Sequence, residues 1–204
     1  MQPDTFYHIY NHANGSENLF RSDENYHYFL RQWTKYIEPV AGTYAYCLMP
    51  NHFHALIRTR SEEDILIFIS NKKNIVPTLQ GFETLGGISN ILSQQFSHLF
   101  NGYSQAYNKQ HGRKGSLFMP NFKRKEITSD TYFTKAIHYI HHNPVHHRFC
   151  KHYQDWSHSS YHALLCDKQT KLKRTETLNW FGGREAFLKF HEHNIIYPEQ
   201  IKLE

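Results

Sequence analysis

Thr43-Tyr44-Ala45-Tyr46-Cys47-Leu48-Met49-Pro50-Asn51-His52-Phe53-His54-Ala55-Leu56-Ile57-Arg58-Thr59 is the stretch on which the reading of this chain turns. Two runs rich in aromatic, apolar and β-branched residues flank Pro50-Asn51, a turn signal, so the segment reads as an antiparallel hairpin. On a strand, residues i and i+2 point to the same face. His52 and His54 therefore stand side by side at the turn end, with Phe53 and Ala55 on the opposite face. That is half of a metal site on a rigid element.

Working outward, Thr5 to His12 reads as a first strand that ends at the turn signal Asn14-Gly15. Ser22-Asp23 opens a helix in which Tyr26, Phe29, Leu30, Trp33 and Ile37 recur at helical spacing, closed by Pro39 and Gly42. Ser61 to Gly87 is ambiguous, partly helical and punctuated by Pro77, Gly81 and Gly86-Gly87. A long helix is expected from Ile88 to about Lys109, ended by Gly112 to Gly115. Ser116 to Thr128 is a fourth strand or strand-like arm broken at Pro120, and Ser129-Asp130 caps a further helix that stops at Asn143-Pro144. A last helix spans Arg184 to His193.

The order strand, helix, strand, strand, helix, strand, helix predicts an α+β fold. We expect a ferredoxin-like split βαβ core with an antiparallel sheet, helices on one face, and a C-terminal helical extension. Residues 1–150 would form the main domain, and 151–204 an extension packed on it.

Composition sets the outer bounds. The 204 residues include 39% hydrophobic and 16% aromatic residues, enough for one well-buried core. The formal charge of +5 favours a polyanionic partner. Three cysteines without paired spacing argue for a reducing compartment and against a Cys-rich zinc site. There is no signal peptide pattern at Met1 to Tyr10, and no apolar run approaches the roughly 20 residues of a membrane span. A cytoplasmic protein with no membrane association is expected.

The segment His138-Tyr139-Ile140-His141-His142-Asn143-Pro144-Val145 supplies what the hairpin lacks. Tyr139 and Asn143 are four residues apart and share a helix face. If that face lies over the hairpin, the Asn143 amide oxygen is a third metal ligand beside His52 and His54, and the Tyr139 phenol sits next to the ion. A divalent metal polarises a phosphodiester, and a phenolate is a competent nucleophile.

With these residues in place, His52-Phe53-His54 is similar to the His-hydrophobic-His signature of HUH-type single-strand DNA nucleases. Tyr139-Ile140-x-x-Asn143-Pro144-Val145 resembles the catalytic-tyrosine motif of the REP-associated tyrosine transposases, relatives of small insertion-sequence transposases. The likeness extends through Gly115-Ser116-Leu117-Phe118, Phe122 to Lys125, Trp156-Ser157 with Ser160-Tyr161, and Trp180 to Arg184.

The resemblance implies an HUH-type catalytic domain that cuts single-stranded or hairpin DNA. Tyr139 would attack the phosphate, forming a 5′-phosphotyrosine link, with no nucleoside triphosphate needed. It implies magnesium or manganese as cofactor; imidazole ligands on their own favour manganese. Asn143 stands where some members carry glutamine. Monomer and homodimer are both open.

Other residues carry weaker signals. Lys123, Arg124 and Lys125, with Arg113 and Lys114 upstream, form a basic patch near Phe118 and Phe122. Basic groups track phosphates while aromatics stack on unpaired bases, so this patch is expected to contact DNA. The run His141-His142 with His146-His147 suggests zinc, but adjacent helical histidines cannot face one way, and a solvated basic helix end is expected instead. Trp156 and Trp180-Phe181 read as core or capping residues. Two other classes fit the same residues: a non-catalytic single-stranded nucleic-acid-binding module, and a metal-dependent hydrolase of small phosphoesters in which Tyr139 is dispensable.

Overall fold

The computed structural model describes residues 1–73, 85–193, 195 and 197. The elements run β1 (Phe6–His12), α1 (Asp23–Tyr36), β2 (Ala41–Met49), β3 (His52–Thr59), α2 (Glu62–Lys73), α3 (Leu85–Gln110), β4 (Lys123–Glu126) and α4 (Asp130–His146). A 3-10 turn at Tyr153–Asp155 and three short helices follow: α5 (Tyr161–Leu165), α6 (Arg174–Trp180) and α7 (Arg184–Glu192). No helix among the described residues is long and apolar enough to cross a membrane.

The four strands form one sheet in the order β2-β3-β1-β4, every neighbouring pair antiparallel. β1 and β2 are joined through α1 across the intervening β3, and β3 and β4 through α2 and α3. That is the split βαβ arrangement expected from the element order. The β2–β3 hairpin keeps Met49 opposite His52 and Cys47 opposite His54, so the histidines stand at its turn end.

The helices do not share one face, which corrects the expectation of helices on one side. Phe53, Ala55 and Ile57 point into a core with Phe29 and Trp33 of α1 and Leu92 and Phe96 of α3. Ala45, Cys47, Met49 and Leu56 point the other way, into a second core with Phe133, Ala136, Ile137 and Ile140 of α4 and with Phe187 of α7. The physical reason is visible in β3, where seven of the eight residues, all but Arg58, are buried. Apolar side chains on both faces need cover on both faces. The C-terminal segment also seals the β2 edge, through His158 O, Tyr46 O and Thr43 O in backbone hydrogen bonds of 2.9–3.0 Å.

Three boundaries differ from expectation. α3 begins at Leu85, so Gly86-Gly87 lies within its first turn; Pro77 and Gly81 fall outside the described residues. Only Lys123–Glu126 of the Ser116–Thr128 arm is a strand, beyond a break where Asn121 has a φ of 59°. α4 does not stop at Asn143-Pro144 but runs to His146 with Pro144 inside it. Proline withholds one N–H from the last turn, yet the Asn143 carbonyl accepts from His147 N at 3.0 Å and the Pro144 carbonyl from Phe149 N at 2.8 Å. Ser129 caps the other end as expected, accepting from Tyr132 N at 3.2 Å.

Candidate active site

His52 and His54 lie on the α4-covered face of the sheet, 1% and 0% exposed. Their rings are 5.3 Å apart and nearly perpendicular. The register sets Tyr10 opposite His54 and His12 opposite His52. Tyr10 stacks on His54 at 5.5 Å, and His12 stacks on His52 at 4.7 Å with an 8° interplanar angle. The alternation His8, Tyr10, His12 on β1 mirrors His52, His54 on β3. That period-2 signal was present in the sequence, but its importance depends on the strand pairing.

Both candidate ligands are held from behind. The His52 Nδ1–H donates to Asn51 Oδ1 at 2.8 Å, which leaves its Nε2 as the lone-pair nitrogen. Nδ1 of His54 lies 2.9 Å from Nε2 of His8, itself fully buried. When the shared proton sits on His54, its Nε2 also presents a lone pair; that nitrogen is buried and has no hydrogen-bond partner among the described residues. Burial, with the neighbouring histidines, holds the His54 pKa well below the usual imidazole value. Burial and the Lys125 charge pull His8 down to about 3. Neutral imidazoles with an oriented free nitrogen are the form that binds metal.

α4 closes the site from above. Tyr139 is 6% exposed, its ring 5.8 Å from that of His54 and perpendicular to it. One turn on is Asn143, and another turn on is His147, whose ring lies 4.6 Å from His52. Asn143 is thus bracketed by two residues that touch the candidate ligands. It is completely buried, and neither atom of its amide has a hydrogen-bond partner among the described residues. An orphaned buried amide costs stability, so this donor fits a group that coordinates it. Among the described residues no cluster of three or more His, Cys, Asp or Glu could hold a metal. Beside His52 and His54, the Asn143 amide oxygen is a buried oxygen donor on α4 that has no partner among the described residues. Tyr197 packs on Tyr139 at 5.2 Å and hydrogen-bonds His138 Nδ1 at 2.6 Å.

The basic residues divide. Lys123 pairs with Tyr10 and Lys125 with His8, so both belong to the site face; Arg124 pairs with Ile9 and points to the opposite one. There it lines a polar groove with Asn101, Ser104 and Asn121. Arg113 is committed to its own loop, donating to Asn108 Oδ1 at 3.0 Å and Ser116 O at 2.8 Å and pairing with Glu17 at 3.0 Å. Lys114 is exposed. Phe118 is buried in the core, and Phe122 stacks on Phe96 at 4.6 Å. The expected single basic patch with stacking phenylalanines is therefore corrected: the strand period sends its members to two faces, and core packing takes the rings.

At the end of α4, His146 is exposed as expected, but His141 is not part of a solvated end. His141 is fully buried in a one-way chain. Tyr46 N donates to Ser160 Oγ at 2.9 Å, and the Ser160 hydroxyl to His141 Nε2 at 2.8 Å. His141 Nδ1–H donates to His191 Nε2 at 2.9 Å, and His191 Nδ1–H to the Phe187 carbonyl at 2.9 Å. Every proton is placed, so this is a structural network. Trp156 and Trp180 are packing residues: the Trp156 indole N–H donates to Leu48 O at 2.9 Å, and Trp180 stacks on Phe133 at 4.5 Å.

Among solved structures, the chain is similar to a REP-associated tyrosine transposase bound to a REP hairpin. The two are 17% identical, with a TM-score of 0.50 over 81% of each chain. At that identity the likeness is one of fold. No protein-family model and no curated protein matches.

Proposed function

We propose that the chain belongs to the REP-associated tyrosine transposases and acts as a metal-dependent endonuclease and strand transferase on single-stranded or hairpin DNA. The observation that carries this reading is the placement of the Tyr139 ring 5.8 Å from that of His54, on opposed elements. The fold shared with a hairpin-bound transposase supports it, as do the two motifs.

In this reading His52, His54 and Asn143 hold a divalent ion, magnesium or manganese, and two imidazoles in the set favour manganese. The ion, when bound, supplies Lewis-acid polarisation of the scissile phosphate. Tyr139 Oη attacks the phosphorus and gives up its proton. The Oη–P bond forms as the O3′–P bond breaks, leaving a 5′-phosphotyrosine and a free 3′-hydroxyl. That hydroxyl, or one on another strand, reverses the step, so no external energy source enters. Lys123 and Lys125 on the same face track the flanking phosphates. His8 and Asn51 fix the ring orientation of the two ligands.

The test uses Tyr139→Phe with hairpin DNA and manganese, read as a covalent protein–DNA adduct on a denaturing gel. Wild type forms the adduct and the variant does not. An adduct in the variant would remove Tyr139 from the role. Binding without cleavage by wild type at any metal would leave a non-catalytic binding module.

A further inference from the structure

The end of α4 carries a feature that neither the metal site nor the tyrosine uses. The chain there reads Pro144-Val145-His146-His147-Arg148-Phe149-Cys150-Lys151-His152. Arg148 N donates to Val145 O at 3.0 Å and Phe149 N to Pro144 O at 2.8 Å. This pair of bonds defines a Schellman cap, whose left-handed position is usually glycine. Here it is Arg148, with a φ of 60°. An L-residue in that conformation is strained, and strain of this kind points to a use for the side chain. Arg148 is exposed and enters none of the ion pairs or side-chain hydrogen bonds among the described residues.

The next residue, Phe149, is 39% exposed, so part of its ring is open to solvent. It belongs to a file of rings that begins at the candidate metal site. His52 lies 4.6 Å from His147, His147 lies 6.2 Å from Phe149, and Phe149 lies 5.8 Å from Trp156. Trp156 is anchored to the end of β2 through Leu48 O, so the file rests on the hairpin itself. Lys151 and His152 are exposed beside it. The loop thus combines cationic groups with an open aromatic face and is continuous with the residue that would hold the metal.

We propose that this loop is a landing surface for single-stranded DNA: Phe149 stacks on an unpaired base, while Arg148 and Lys151 hold the phosphates of the strand as it passes His52. The inference rests on the strand-transferase reading above and adds a surface to it. Stacked bases and paired phosphates are the two means by which proteins hold single strands without reading their sequence.

The experiment titrates the full chain against fluorescein-labelled oligothymidylate in EDTA at several salt concentrations, followed by anisotropy, with thermal melting of each variant. Phe149→Ala should weaken binding by about fivefold or more. Arg148→Gly should weaken it and flatten the plot of log affinity against log salt by about 0.7, one phosphate contact on a single strand. Glycine is at ease at this φ, so the melting temperature of Arg148→Gly should hold or rise, which separates lost contact from lost structure. If wild type binds and both variants bind as tightly with the same salt slope, the loop is not the surface and the transferase reading survives without it. If wild type does not bind the strand, this inference falls, and the transferase reading is decided separately by the Tyr139 adduct on hairpin DNA with manganese.

Discussion

Nε2 of His8 lies 2.9 Å from Nδ1 of His54, on adjacent antiparallel strands. The contact ties down one ring nitrogen of His54, on the side of the sheet where Tyr139 is, and in the proposed metal site it would make His8 the residue that orients His54.

Replacing His8 with phenylalanine keeps the buried volume but removes that contact. Outer-shell partners of metal-bound histidines are worth about 10–100-fold in affinity. Manganese binding by His8→Phe, measured by calorimetry, should weaken by that factor while the protein still melts cooperatively. Unchanged affinity would show that His8 does not orient a ligand.

Asn143 should show opposite effects on stability and on metal binding. Its buried amide lacks a hydrogen-bond partner among the described residues, and an unsatisfied buried polar group costs about 1–3 kcal/mol. Asn143→Leu should therefore be no less stable than wild type in EDTA, and manganese, expected to raise the melting temperature of wild type, should not raise that of the variant. A variant clearly destabilised in EDTA would mean the amide already has a structural partner.

Ser160 joins Tyr46 N to His141 Nε2. Ser160→Ala strands both groups in the buried second core, at a cost of about 1–3 kcal/mol. Urea denaturation should show this loss with an unchanged slope. A loss well under the lower figure would mean that the chain rearranges around the gap.

The buried histidines of α4 and α7 make stability depend on pH. Burial pulls His138 down to about 2 and His191 to about 3. The unfolded chain takes up protons near the ordinary value of about 6.5 while the native state does not. Folded pKa values below the unfolded ones mean that stability is complete above about 6.5 and falls as pH drops from there toward the folded values. Each such histidine contributes a slope of about 1.4 kcal/mol per pH unit once the unfolded form is fully charged. His191→Gln should lower the slope between pH 6 and 4 by about one proton. Stability that stays flat over that range would refute the buried neutral assignment.

Much of the frame was readable in advance. The hairpin, the helix starts at Ser22-Asp23 and Ser129-Asp130, and the order of strands and helices along the chain follow from local patterns that the final structure leaves alone. What was misread lay where tertiary contacts override local rules. α4 passes through Pro144 because its last turn is capped by Arg148 and Phe149. His141 is a core residue because Ser160 and His191 meet it from far along the chain. Phe118 is lost to the core because α3 covers it, which no neighbouring residue announces.

The two motifs divide in the same way. The alternation of β3 alone was enough to set His52 beside His54, since side chains on a strand must alternate. Helical spacing alone was enough to set Tyr139 and Asn143 on one face. Whether that face meets those histidines was decided by the packing of α4 onto the side of the sheet opposite α1 and α3. Which residues stand behind the ligands was decided by the pairing of β1 with β3, which brings His8 to His54. Periodicity is a property of one element and is written in its residues, whereas the meeting of two elements depends on cores assembled from the whole chain.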